Sequence, residues 1–318
     1  MVKMKLHIRH LTAAILRFGY RTQASLIAII VMVLWASCYP LITLGLPNAP
    51  HLTFAAMRAA IAGGVLLVIA ASTGAPIPKS PRIWAWLTVA GLGATTLGYL
   101  GMFHAAEFVA PGFATIIANT QPLLAAILAR FLLTERLNAW ANLGLGAGFV
   151  GVLISASPQL AAGEGAATAK GVAYVILAAV GVGIGNIAIK KLAGLLQPSA
   201  AMGWQLILGA LPLAALAGLT EDASTIRWTS DFVVSLFALA LFGTALAFWL
   251  WQRVLQVMDL SRANAFSFLV PFLGVLFGVL FFNERISVLT ILGACVAIIG
   301  VQMTLRNGSA AEKYPPHL

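Results

Sequence analysis

The sequence predicts an all-α integral membrane protein, with ten transmembrane helices arranged as two five-helix inverted repeats. Three observations lead there: a composition poor in charge, ten apolar segments of membrane-spanning length, and one phrase that occurs twice. Of 318 residues, 61% are hydrophobic and 9% charged, with mean hydropathy +0.96. A soluble domain carries about 25% charged residues. Folded in water, this chain would expose far more apolar surface than a globular protein tolerates.

A helix needs about 20 predominantly apolar residues to cross the hydrocarbon core. Segments of that kind lie near 24–45, 51–71, 82–107, 110–131 and 138–156, then 169–189, 198–219, 231–252, 261–282 and 286–305. Short connections rich in Pro, Gly and charge separate them, among them "LPNAP" and "STGAPIPKSPR". The expected organisation is a basic cytoplasmic segment at 1–23, a first repeat at 24–156, a polar connecting loop at 157–168, a second repeat at 169–305, and a cytoplasmic tail at 306–318.

The net charge of +10 orients the chain; it does not mark a nucleic-acid partner. With the amino terminus on the cytoplasmic side, about 15 of the 19 Lys and Arg fall on that side. Only Lys170, Arg227 and Arg285 fall opposite, and Arg58 lies inside a span. Excess positive charge on cytoplasmic loops is the rule for membrane proteins. Both termini are therefore expected in the cytoplasm. No basic run interleaved with aromatics speaks for nucleic acid. Cys38 and Cys295 both lie in apolar segments, so no disulfide framework or metal site is expected.

"QPLLAAILARFLLTER" at 121–136 and "VPFLGVLFGVLFFNER" at 270–285 are the recurring phrase. Pro122 and Pro271, Glu135 and Glu284, and Arg136 and Arg285 are each 149 positions apart. The same shift carries Gly144 to Gly293, Gly151 to Gly300, Tyr99 to Phe248, and Ser37 to Asn186. One unit therefore holds five spans. Five is odd, so the second unit enters the bilayer from the opposite side. Inverted repeats recur in secondary transporters, with the solute site near mid-depth between the halves. Pro122 and Pro271 fall near the middle of their spans, where proline frees a backbone carbonyl and bends the helix. They are read as hinges, against the alternative of packing kinks.

With these residues the chain resembles the EamA family of the drug/metabolite transporter superfamily. The features in common are the two five-span units, the mid-helix proline, the Glu-Arg after each fourth span, "LWASCYPLI" in span one and Arg58 in span two. Within that family it is most similar to YddG-type exporters of aromatic amino acids. The second unit departs from the pattern: Ile184 stands opposite Trp35, and Ile207 stands opposite Arg58. The resemblance implies a carrier in the bacterial inner membrane that exports small organic metabolites, among them amino acids. The alternatives are an exporter of hydrophobic cations or drugs, and a channel-like pore for small solutes.

Polar and aromatic residues inside spans are the candidates for solute contact, because lipid tolerates them poorly without a partner. Arg58 reads as a carboxylate anchor or gate ion pair, or alternatively as a partner of backbone carbonyls or phosphate headgroups. Asn119 and Phe268 each stand three residues before a span proline, one turn from the bend. Tyr99, Phe103, Phe248 and Trp249 are expected to give an aromatic lining, with Trp35, Asn186 and Trp204 as further contacts. His104 and Glu107 share a helix face and could carry protons, or simply meet interfacial water. Small-xxx-small pairs at Gly144/Gly148, Gly181/Gly185 and Gly274/Gly278 permit close helix approach. Packing within the chain is the first reading of these pairs, which implies a monomer; a homodimer is the second.

An intramembrane enzyme would need a nucleophile–base pair or a metal cluster within the spans, and a pump would need a nucleotide-binding motif. The sequence carries neither, and no cofactor is expected.

Overall fold

The structure is a computed structural model that describes residues 23–105, 121–134, 138–161, 169–270, 272–273, 277 and 287–306. Every regular element among these is helical. In chain order they are α1 (Gln23–Ala36), α2 (Cys38–Gly45), α3 (His51–Ser72), α4 (Pro81–Ala105), α5 (Gln121–Leu132) and α6 (Ala139–Ala161). Then follow α7 (Ala169–Leu192), α8 (Pro198–Thr220), α9 (Ser230–Val257), α10 (Leu260–Ala265) and α11 (Val288–Arg306). Within the described residues, α3, α4, α8, α9 and the Ala173–Leu192 part of α7 are long and apolar enough to cross a membrane. Large apolar side chains such as Val68, Leu211, Leu219 and Phe131 point outward, more than 60% exposed, as a lipid-facing surface requires. Of the remaining spans read from the sequence, 24–45 runs as α1 and α2 and 138–156 corresponds to α6, while the other three include residues outside the described set.

Local chemistry explains where several helices begin. Pro81 and Pro198 occupy first-turn positions, where a missing N–H costs nothing because that donor has no intrahelical partner. The side chain of Thr229 caps α9 by accepting the Phe232 N–H. α3 is capped from far away. The Glu221 carboxylate, just past the end of α8, accepts the Leu52 N–H at 2.9 Å, the Thr53 N–H at 2.7 Å and the Thr53 hydroxyl at 2.8 Å. At the other end of the same pair, the Thr73 hydroxyl donates to the Gln197 side-chain oxygen at 3.2 Å. α3 and α8 are thus antiparallel neighbours, tied at both ends.

Glycine sets the closest approaches. A Cβ on Gly144 would lie 2.6 Å from the Gly300 carbonyl oxygen, and one on Gly151 would lie 2.6 Å from that of Gly293. Residues this close leave no room for a side chain, so α6 and α11 meet backbone to backbone. A shift of 149 residues exchanges these two contacts, carrying 144 to 293 and 151 to 300. Gly181 and Gly185 of α7 meet Gly93 of α4 in the same way, at 2.6 Å and 2.8 Å from its would-be Cβ. Two of the three small-residue pairs are therefore spent inside the chain; Gly274 and Gly278 lie outside the described residues.

α4 and α9 each contain a π-helical stretch, Gly91–Leu97 and Leu239–Leu246. Such turns widen the helix locally and occur often at functional sites. They fall at matching places, since the 149 shift carries 91–97 onto 240–246 and Thr95 onto Thr244.

Candidate functional site

A buried arginine organises the site. Arg58 lies seven residues past the start of α3, about 10 Å along the helix, and is 6% exposed. Its Nε donates to the Thr244 hydroxyl at 2.8 Å, and its Nη2 lies 4.0 Å from the Cys38 sulfur. The guanidinium carbon stands 4.7 Å from the Tyr99 ring centroid, a cation–π distance. Four elements thus converge on one cation: α2, α3, α4 and the π turn of α9. Gly243 makes the convergence possible, because a Cβ there would lie 2.5 Å from the Cys38 sulfur. Among the described residues no Asp or Glu pairs with Arg58. The buried Tyr99 hydroxyl beside it has no hydrogen-bond partner of ordinary geometry among them.

An aromatic group sits beside this cation. Trp35 meets Phe248 edge-on at 6.0 Å and Trp251 at 5.2 Å. Trp251 donates its indole N–H to the Asn186 side-chain oxygen at 3.0 Å, fully buried. The register follows from helical spacing. Phe248 is four residues from Thr244 on α9, one turn away. Trp35 is three residues from Cys38, and the i to i−4 ladder runs on across Ser37 between α1 and α2. Two neighbouring elements therefore each carry one residue of the cationic group and, a turn further, one of the aromatic group.

The residues expected from the sequence divide accordingly. Arg58, Tyr99, Trp35, Phe248 and Asn186 come together. Phe103 extends the group along α4, edge-on to Tyr99 at 6.5 Å. Trp249 instead stacks under Arg253 at 4.2 Å and lines a shallow apolar groove with Val65 and Ile69. Trp204 packs on Trp84 at 4.9 Å, next to Gly203, whose would-be Cβ meets Leu67 at 2.9 Å, near the opposite end of α3 from Arg58. Phe268 is fully buried against Gly148 of α6. Asn119, Glu107 and Pro271 lie outside the described residues, as do Glu135, Arg136, Glu284 and Arg285; Pro122 falls within α5. His104 meets His51 edge-on at 5.1 Å and Tyr174 at 5.1 Å.

Sequence reasoning missed Cys38, Thr244 and Trp251 as members of the site. A signal for Thr244 was present in its match to Thr95 across the repeat. Their partners differ, however: Thr95 donates to the Gln205 side-chain oxygen at 3.2 Å, whereas Thr244 accepts from Arg58. The asymmetry follows from Ile207 standing where the shift would require a second arginine.

The structure is thus a helical membrane bundle in which a cation with no carboxylate partner among the described residues lies buried beside aromatic rings. Its sequence carries the EamA-like transporter profile twice, over residues 22–157 and 169–306, and the chain belongs to that family, part of the drug/metabolite transporter superfamily. It is 26% identical over 264 residues to a WAT1-related chloroplastic protein of Arabidopsis thaliana, an alignment covering 81% of this chain and 63% of that protein, so less than two thirds of the plant protein's length is matched. It is 26% identical over 289 residues to a protein of Escherichia coli K12 named a probable amino-acid metabolite efflux pump, covering 88% of this chain and 93% of the relative. A crystal structure of a protein 21% identical in sequence superposes with a TM-score of 0.77, covering 89% of this chain and 96% of that one.

Proposed function

We propose that the protein is an alternating-access carrier that exports carboxylate-bearing metabolites, amino acids with aromatic or apolar side chains foremost, across the bacterial inner membrane. The observation that carries this reading is Arg58. Burying a cation away from water is costly unless an anion or dense hydrogen bonding compensates it. Here a hydroxyl, a thiol and a ring face contribute, and no carboxylate among the described residues does. A solute carboxylate would supply the missing charge and use the planar donors of the guanidinium. One turn away, Trp35, Phe248 and Trp251 offer faces for the rest of the solute.

The transport mode rests on the repeat. Contacts exchanged by the 149 shift, in the glycine seam of α6 with α11, are those expected of two halves related by a two-fold axis. Threaded oppositely through the bilayer, such halves present one pocket to either side in turn. In this reading Pro122 and Pro271 are the bends about which the halves rock, Asn119, Phe103, Trp249, Phe268 and Trp204 are outer contacts of the solute path, and both termini are cytoplasmic. His104 is assigned to proton handling together with Glu107. The protein works as a monomer.

Reconstituted vesicles preloaded with phenylalanine are expected to show saturable counterflow, and Arg58→Gln should lower it at least tenfold while leaving the folded fraction intact. Counterflow with the lipophilic cation tetraphenylphosphonium but with no amino acid would overturn the carboxylate assignment. Flux without counterflow would replace the carrier with a pore.

A further inference from the structure

At the end of the bundle where α3 begins and α8 ends, titratable groups from three elements gather. Glu221, whose side chain is 9% exposed, stands 3.7 Å (Oε1) from Nε2 of His51, whose side chain is 28% exposed. His51 stacks on Phe103 at 6.4 Å and meets the His104 ring edge-on at 5.1 Å. His104 in turn leans on Tyr174 of α7 at 5.1 Å. Its Nδ1 lies 3.0 Å from the Leu100 carbonyl oxygen, which can only accept. Nδ1 therefore carries the hydrogen, and Nε2 is the nitrogen left to take a proton. Thr53 and Glu221 also line an open groove of about 340 Å³ along the α3–α8 seam, so the carboxylate is reachable from outside the bundle.

We propose that His51, His104 and Glu221 form a proton-binding site that controls whether the ends of α3 and α8 stay together. Imidazole is the side chain that changes charge between about pH 5 and 8. Glu221 is already engaged by three donors of the first α3 turn, where the helix dipole favours an anion. Those donors hold the carboxylate in place beside the His51 ring. A proton taken up at His51 makes Nε2–H a charged donor toward Oε1 of Glu221, and the attraction draws the two helix ends together. Deprotonation removes that attraction and leaves the capping bonds, the Arg227 N–H to Asn48 carbonyl bond and the apolar packing of Leu52 and Ala56 with Leu213 and Ala217. The attraction is thus present when His51 carries the added proton and absent when it does not. Other charged groups lie nearby, among them Arg227, whose backbone N–H donates to the Asn48 carbonyl just before α3. Asp222 accepts the Ser224 N–H, Arg58 faces Thr244 and Tyr99, and Lys170 lies exposed a turn before Tyr174. Tyr174 itself faces His104.

Among the described residues the opposite end of the α3–α8 pair shows no such cluster. Thr73 and Gln197 meet there through one neutral hydrogen bond. Among the described residues the His–Glu cluster therefore sits at one end of the pair. Its role in transport rests on the carrier reading above; proton binding and closure do not.

The test is a distance measurement on the full chain in lipid nanodiscs. Spin labels go on cysteines introduced by Pro47→Cys and Ser224→Cys, both exposed, in a Cys295→Ser background with the buried Cys38 retained. The separation is expected to lengthen between pH 5 and pH 8. That change should vanish in a His51→Gln, His104→Gln variant, which leaves the Glu221 cap untouched. An unchanged separation in the unsubstituted background, or a persistent change in the double variant, overturns the proposal. In vesicles, the double variant should lose acceleration of phenylalanine efflux by an acid-outside gradient while keeping counterflow within about twofold. Gradient acceleration equal to that of the parent protein overturns the proposal too. Absent counterflow in the parent protein would instead overturn the carrier reading, leaving the distance result to stand alone.

Discussion

Trp251 and Asn186 illustrate how single residues can be held far more firmly than their types suggest. An asparagine in an apolar span is expensive unless both ends of its amide are used. The indole N–H supplies one partner from a helix 65 residues away in sequence. Trp251→Phe should remove that donor and leave the Asn186 oxygen buried and unsatisfied, at about 1–3 kcal/mol. Thermal unfolding in detergent would read the loss, and pairing it with Asn186→Leu should recover part of it, because then neither partner is stranded. Equal melting temperatures for parent and Trp251→Phe would remove the bond from any account of stability. Asn186 was legible as a polar residue inside a span. Trp251 was not, because an aromatic in a membrane helix has the same appearance in sequence whether it faces lipid or a partner.

Between helices, the glycine seam of α6 with α11 makes the sharpest demand. Gly144 faces the Gly300 carbonyl, whereas Gly146, two residues on, has nothing within 4 Å of its would-be Cβ. Gly144→Leu should force α6 off α11 and cost upwards of about 3 kcal/mol, beyond the ordinary range for overpacking, since the obstacle is backbone that cannot rotate away. Gly146→Leu should be close to neutral. Expression and monodispersity in detergent compare the two directly, and equal behaviour would contradict the seam. The glycines themselves were readable as a spacing pattern. What they pack against was not, since the pattern is the same for contacts within a chain and between chains. The π turns of α4 and α9 left no periodic trace, for one extra residue in a helical turn is invisible when nearly every neighbour is apolar.

For the whole molecule, the testable quantity is sidedness. Ile77, in the α3–α4 connection, and Trp228, in the α8–α9 connection, are both well exposed at 68% and 63%. If the positive charges orient the chain as they do in other membrane proteins, Ile77→Cys is cytoplasmic and Trp228→Cys faces outward. A membrane-impermeant thiol reagent applied to intact cells should label the second and spare the first. Labelling of both from one side would undo the opposed threading of the two halves.

The sequence by itself determined the class of this protein. Apolar length and a repeat at a spacing of 149 are one-dimensional quantities, and a bilayer converts them directly into membrane helices in two related units. Tertiary structure alone decided which polar residues meet. Arg58 finds Thr244 across 186 residues, and Glu221 caps α3 across 168. Neither pairing follows from the repeat, because the shift of 149 joins equivalent positions, whereas a folded bundle joins complementary ones. Hydrophobic pattern specifies which face of a helix is buried; only packing in three dimensions specifies what that face buries against.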